Sequence, residues 1–248
     1  MPKKNTRRHL LILGAPRSGT TLLAAMIGCH DDIGLLVESK RMAFTAIAGK
    51  AVVGNKLCVP NQIEFEANWD RRMSRFSKAS LEKYLALPNF KLVLIVRHVD
   101  SVTSSIMKRA GKPNDTAALY WRRGIEIMHE LKQRLAQDAV VIAFENMLAN
   151  PGRHMRRVTD LLALPYQEKM LEGYKYNPYY REFSGFDLSR ASAPQQAREA
   201  SEFESRHPEI WEKYLELCAD SESGPQAPEI REKIESLANL PRIEEARG

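Results

Sequence analysis

The residues best suited to chemistry lie in His9–Leu23, HLLILGAPRSGTTLL. Gly14 and Gly19 bound a tight loop, Gly14-Ala15-Pro16-Arg17-Ser18-Gly19, with a cation inside it and two hydroxyls, Thr20 and Thr21, just beyond. The apolar run before the loop fits a buried strand, and Leu22, Leu23, Met26 and Ile27 after it share one face of a helix. Strand, glycine-bounded loop and helix start together offer backbone N–H groups and the positive end of a helix dipole to an anion. The loop nearly matches G-x-x-x-x-G-K-[ST], but Thr20 stands where that motif has the lysine that reaches terminal phosphates. A phosphate-type cradle survives, whereas triphosphate hydrolysis loses its principal cation.

Three further candidates sit where short apolar runs end. Ile33–Val37 leads into Glu38, Ala51-Val52-Val53 leads into Gly54-Asn55-Lys56, and Lys91–Val96 (KLVLIV) leads into Arg97. The carboxyl ends of buried strands are where open α/β sheets place their ligands. By position alone, Glu38 is a solvated strand-end acid and Lys56 a surface lysine. Arg97 is followed by a helix from about Asp100 to Arg109, which carries Ser105 and, one turn on, Arg109. An arginine fork with a hydroxyl nearby can grip a second phosphate. No acid ends this strand, so the Mg²⁺-holding aspartate that accompanies a triphosphate loop is missing.

The elements that must position these residues alternate along the chain. Ser39 is placed to cap a helix through roughly Gly49. The charged stretch from Gln62 to Leu87, with Trp69, Met73 and Phe76, reads as one or two surface helices. Asp115–Gln137 is a long helix with Trp121 near its start and Leu119, Ile125, Ile127, Leu131 and Leu135 facing inward. Ala139–Phe144 is another apolar strand, and Asn150-Pro151-Gly152 opens a helix to about Ala163. Alternating strands and helices give an α/β fold, a P-loop-like parallel sheet flanked by helices on both faces, with a helical or irregular C-terminal segment. The aromatic and basic stretch around residues 173–194 reads equally as an acceptor-binding flap or as irregular packing. Ser205–Cys218 is helical by pattern. The expected division is one α/β domain over residues 1–218 and a polar, peripheral tail over 219–248.

Composition narrows the partners. The chain has 248 residues, enough for one core, and carries 37 Lys and Arg against 31 Asp and Glu for a net charge of +6. A basic excess suits an anionic ligand such as a nucleotide. It is also compatible with nucleic acid or an acidic membrane, but the basic residues are scattered apart from Lys3, Lys4, Arg7 and Arg8, which read as a solvated tail, so no nucleic-acid partner is expected. Three widely spaced cysteines, Cys29, Cys58 and Cys218, with no C-x-x-C, argue against a disulfide framework and against zinc. No histidine cluster has metal-ligand spacing, so no metal is expected. No apolar run reaches the length of a membrane span and no signal-peptide core opens the chain, so a cytoplasmic protein is expected.

Taken together, three segments resemble the sulfotransferases that use 3′-phosphoadenosine-5′-phosphosulfate (PAPS). Gly14-Ala15-Pro16-Arg17-Ser18-Gly19-Thr20-Thr21-Leu22 is similar to that family's 5′-phosphosulfate loop. Val96-Arg97 through Ser105 resembles its 3′-phosphate element. Phe144-Glu145-Asn146-Met147-Leu148 with Asn150-Pro151 resembles its Y-E-D-L…D-P segment, phenylalanine replacing tyrosine. Within the family the likeness is to tyrosylprotein-type enzymes. Glu38 falls where those carry the catalytic base, Gly54-Asn55-Lys56 resembles their N-K-x-P lysine with the proline late at Pro60, and Trp121–Met128 (WRRGIEIM) resembles W-N-K-A-I-E-V-M.

The resemblance implies sulfuryl transfer from PAPS to an acceptor hydroxyl, leaving 3′,5′-bisphosphoadenosine. Glu38 would be the general base, with Arg17 and Lys56 stabilising the departing phosphate. Pro16, Arg17, Ser18, Gly19, Thr20 and Thr21 would hold the 5′ end of the donor, and Arg97, Ser105 and Arg109 its 3′-phosphate. Fixed cations could serve the leaving phosphate without a metal. The acceptor stays open among a carbohydrate or glycolipid, a small alcohol or phenol, and a peptide tyrosine, and a homodimer is left open. Two alternatives stand beside this reading: a nucleotide or small-molecule kinase with a degenerate phosphate loop, and a non-catalytic binder of anionic nucleotides or nucleic acid.

Overall fold

Seven strands and eight α-helices follow one another in the computed structural model, which describes residues 7–39, 41–64, 79–111, 113–176 and 202–222. The central sheet is built from β1 (Arg8–Gly14), β2 (Ile33–Val37), β3 (Val52–Cys58), β6 (Phe90–Val96) and β7 (Ala139–Ala143), in the order β2-β3-β1-β6-β7. All its pairs are parallel. The short β4 (Ile63–Glu64) and β5 (Ala79–Ser80) form a separate parallel pair.

Alternation along the strands builds two cores. Leu11 and Leu13 of β1, with Leu92, Leu94 and Val96 of β6, pack on one face against Ala117, Trp121, Ile125 and Met128 of α4 (Asn114–Leu135) and against Trp211, Tyr214 and Leu217 of α8 (Pro208–Glu222). Leu10 and Ile12, with Val93 and Ile95, pack on the other face against Leu22, Leu23, Met26 and Ile27 of α1 (Thr20–Gly28). That second face also buries Met155 and Val158 of α6 (Pro151–Leu161). Burial on both faces explains why the central strands read as continuous apolar runs. The expected parallel α/β sheet, covered on both sides, is the fold observed.

The remaining helices are α2 (Leu81–Leu85), α3 (Val99–Ala110), α5 (Phe144–Ala149) and α7 (Glu202–Arg206). Several expected boundaries move. No α-helix follows Ser39; its hydroxyl donates to the Arg41 carbonyl at 2.7 Å, and a short 3₁₀ helix, Ala43–Ala46, comes later. β3 does not stop at Val53 but runs on through Gly54, Asn55 and Lys56 to Cys58, buried throughout. β7 ends at Ala143, and Phe144 begins α5 with no residue between. α8 passes the expected tail boundary at Ala219 and ends at Glu222. Trp69, Met73, Phe76, residues 177–194 of the aromatic and basic stretch, and the tail from 223 lie outside the described residues.

Strand order fixes where a ligand belongs. The chain leaves β1 toward β2 and β3 on one side and resumes at β6 on the other, so the sequence order reverses between β1 and β6. At such a switch point the loops beyond the carboxyl ends of the two strands diverge and leave a crevice. Register brings Gly14 level with Cys58 and Ile95, Val37 level with Lys56, and Val96 level with Ala143. Arg17, Glu38, Lys56, Arg97 and Phe144 therefore all lie at one end of the sheet.

Candidate functional site

The loop between β1 and α1 is held by its own chemistry. Ser18 is buried; its N–H and its hydroxyl both donate to the Ala15 carbonyl, at 3.1 and 2.7 Å. Arg17 and Gly19 take positive φ values, 72° and 94°. Only glycine fits at 19, because a Cβ there would lie 2.3 Å from Phe144 Cδ2. Among the described residues no side chain caps α1, and its first turn holds no acid. A nine-residue helix thus points its dipole into the loop with no competing anion. Thr20 is buried with Oγ1 3.8 Å from Cys58 Sγ, and Thr21 is half-buried.

The structure brings Arg17 and Arg97 into contact. Arg97 Nη1 donates to the Arg17 carbonyl at 3.1 Å, and Arg17 Nε donates to Ser105 Oγ at 2.9 Å. Ser105 thus meets the loop arginine rather than the strand-end one. Beside them an open cavity of about 490 Å³ is lined by Arg17, Ser101, Ser104, Ser105, Lys108 and Arg109. Three cations and three hydroxyls around one space suit a phosphate. Ser101, Ser104 and Lys108 were not expected, although their i, i+3, i+4 and i+7 spacing along α3 from Ser101 would have put them on the face of Ser105. His98 starts that helix, its ring Nδ1 accepting the Asp100 N–H at 3.3 Å.

The second half of the site is an ion pair. Lys56 Nζ lies 2.6 Å from Glu38 Oε1; Lys56 is 1% exposed and Glu38 46%. The lysine taken for a surface residue is in fact inside a strand. Its partner sits at φ 57°, its N–H donating to the Lys56 carbonyl at 2.8 Å. Asn55 holds the next residue: Ser39 N–H donates to Asn55 Oδ1 at 3.2 Å, and Asn55 Nδ2 donates to the Ser39 carbonyl at 2.7 Å and to Tyr84 Oη at 2.8 Å. Backbone in the left-handed region persists where surroundings over-determine it, as they do here. Partial burial pushes the Glu38 carboxyl up, but the hydrogen bond and charge of Lys56, with a hydrogen bond from Gln62, outweigh it and hold the group below its usual range.

Cys58 links the two halves. It lies 4.0 Å from Lys56 Nζ, and burial pushes its thiol up, tempered by the charges of Lys56 and Arg17. The charge of Glu38 pushes the same thiol further up. Nothing local in the sequence marks Cys58 as a position at the floor of the loop.

A third set of residues stands behind Arg97. Trp121 Nε1 donates to the Arg97 carbonyl at 2.8 Å, the Arg97 guanidinium carbon lies 4.3 Å from the Phe144 ring centre, and Glu145 Oε1 is 3.9 Å from Arg97 Nε. Glu145 is 3% exposed and accepts the His98 N–H at 3.2 Å; burial pushes its carboxyl above the usual range. Together the assembled site offers two arginines in contact, an open cavity beside them lined by cations and hydroxyls, and, on the neighbouring strand ends, a carboxylate paired with a buried ammonium.

Comparison with known proteins agrees with this architecture. Residues 82–168, from α2 past the end of α6, match the model of the sulfotransferase family. The chain is 22% identical over 218 residues to protein-tyrosine sulfotransferase A of Caenorhabditis elegans, covering 74% of this chain and 55% of that protein. It is 21% identical over 215 residues to a putative protein-tyrosine sulfotransferase of Caenorhabditis briggsae, covering 69% and 71%. It is 20% identical over 231 residues to the Drosophila melanogaster protein-tyrosine sulfotransferase, covering 73% and 42%. The chain therefore spans about half the length of the first and third of these. In fold it is similar to the sulfotransferase domain from the curacin biosynthetic pathway, with TM-score 0.60 and 17% identity over 82% of this chain and 96% of that one. It is also similar to the sulfotransferase domain of the Synechococcus PCC 7002 olefin synthase, with TM-score 0.57 and 14% identity over 91% and 98%. Sequence and fold are thus both similar to those of sulfotransferases, the sequence to relatives of the protein-tyrosine type.

Proposed function

We propose that the protein transfers a sulfuryl group from 3′-phosphoadenosine-5′-phosphosulfate to an acceptor hydroxyl. The observation that carries this reading is the Arg97–Arg17–Ser105 chain of contacts across the β1/β6 crevice, with Glu38 and Lys56 on the adjoining strand ends. An adenosine phosphorylated at both ends needs two anion grips facing one crevice. The cavity beside α3 and the uncapped start of α1 fit that need.

The donor, when bound, supplies the group to be transferred and a phosphate as leaving group. The start of α1 and the Arg17 side chain would hold its 5′ end, with Thr21 at the rim. Arg97, Ser105, Lys108 and Arg109 would hold the 3′-phosphate. Lys56 would exchange Glu38 for the bridging oxygen and stabilise charge growing there. Glu38, released, would take the acceptor proton as general base. The names of the similar relatives favour a phenolic hydroxyl as acceptor. The three free cysteines, Cys29, Cys58 and Cys218, support placing the enzyme in a reducing, cytoplasmic compartment.

A thermal-shift comparison tests the donor. Ligand at one hundred times its dissociation constant adds about 2.7 kcal/mol to apparent stability. 3′,5′-Bisphosphoadenosine is expected to raise the melting temperature, and ADP or ATP with Mg²⁺ to leave it nearly unchanged. Equal shifts with ATP would sink the reading in favour of a kinase. Transfer from PAPS to tyrosine peptides, small phenols and sugars then ranks the acceptors.

A further inference from the structure

Phe144 and Glu145 carry no role in the proposed transfer, yet both press on the residues that do. β7 passes into α5 without a connecting residue, and Ala143 is level with Val96 in the sheet, so these two side chains stand directly beside Arg97. One Phe144 ring closes on two elements at once. It fills the space a Cβ would need at Gly19, with Cδ2 at 2.3 Å, and it lies 4.3 Å from the Arg97 guanidinium carbon. Glu145 completes the clamp, with Oε1 3.9 Å from Arg97 Nε and 3.2 Å from the His98 N–H. Its other oxygen finds no hydrogen-bond partner among the described residues.

A buried carboxylate is an expensive way to satisfy one backbone N–H, which a neutral side chain would serve as well. What the carboxyl adds is a partner for a guanidinium 3.9 Å away, whose charge opposes the upward push of burial on Glu145. A long arginine side chain otherwise loses rotamer freedom on gripping a phosphate, and holding it beforehand removes that cost. The aromatic face adds a cation–π contact from beneath.

We propose that Phe144 and Glu145 are positioning residues, which fix the Arg97 guanidinium relative to the Gly19 turn so that both ends of a bisphosphorylated nucleotide are gripped as one unit. This rests on the sulfotransferase reading of Arg97 as a 3′-phosphate ligand.

The test is the preference of the full chain for 3′,5′-bisphosphoadenosine over adenosine 5′-monophosphate, measured by calorimetry. The ratio of the two affinities isolates what the 3′-phosphate contributes. Glu145→Gln keeps the volume and an acceptor for His98 but removes the charge, and Phe144→Leu removes the ring. Each is expected to cut the ratio roughly tenfold, the worth of one hydrogen bond to a charged group. Phe144→Tyr, which keeps the ring, is expected to keep the ratio. A lowered melting temperature with an undiminished ratio would overturn the proposal and leave both residues merely structural. Should one variant fail to fold, the other, read against Phe144→Tyr, still decides. A wild-type chain with no preference for the bisphosphate would refute the parent reading, a result distinct from wild-type preference that survives in the variants.

Discussion

Lys56 is an ammonium almost wholly out of water, and Glu38 is the anion that makes this tolerable. Under the proposed transfer that pair must open, because the same ammonium serves the leaving phosphate. The pH dependence carries the signature. Lys56 holds the Glu38 carboxyl below its usual range against the upward push of partial burial. A depressed carboxyl pKa stabilises the fold above the ordinary glutamate range, and that contribution is lost as pH falls through the depressed value. Once a donor phosphate takes Lys56, the carboxyl pKa rises. The acid limb of kcat, which reports the complex, is therefore expected at higher pH than the acid limb of kcat/KM for the donor, which reports the free enzyme. Coincident limbs would mean that the pair never parts. Glu38→Gln is expected to lower kcat by about 10²–10⁴-fold. It should also tighten 3′,5′-bisphosphoadenosine, since no carboxylate then competes for Lys56; weaker binding in a titration would contradict the exchange. Glu38 could be picked out of the sequence by family resemblance, although position alone makes it a solvated strand-end acid. The burial of Lys56 could not, because its partner lies on another strand.

At the level of elements, the loop-to-helix turn is the least forgiving joint. Gly19→Ala meets both a left-handed backbone and the Phe144 ring. It is expected to cost about 1–3 kcal/mol of stability and to abolish bisphosphate binding. Melting and titration curves that match the wild type would show that the turn can relax. The strands were legible to differing degrees for one physical reason. Strands covered on both faces by apolar helices, such as Leu92–Val96, announce themselves as unbroken apolar runs. β3 hides its second half because Asn55 and Lys56 are buried on polar partners, namely Ser39, Tyr84 and Glu38, that no local pattern reveals. The helix expected after Ser39 fails for a related reason: Asn55 has already claimed that residue's backbone on both sides. Phe144 and Glu145 were visible as a motif, but their work on Arg97 depends on a strand register that only the folded sheet supplies.

On the scale of the whole molecule, the end of α8 does what the sequence assigned to no one. Asp220 Oδ2 accepts the Val141 N–H at 3.3 Å and Ser221 Oγ accepts the Ala143 N–H at 2.8 Å. Arg157 of α6 donates to the carbonyls of Val141 at 3.0 Å, Asp220 at 2.7 Å and Ser221 at 2.5 Å. Polar residues just past Cys218 look like the start of a solvated tail, and their spatial partners, over 60 positions away, are what make them structural. A chain cut after Cys218 is expected to melt lower than one cut after Glu222 and to aggregate on concentration; equal behaviour of the two in melting and light scattering would refute the assignment. β7 borders the sheet, and strands in that position ordinarily invite a stranger to pair with them. With these amides and carbonyls answered by side chains of α6 and α8, that flank has nothing left to recruit a sixth strand. Self-association by strand pairing would have to use another edge than β7.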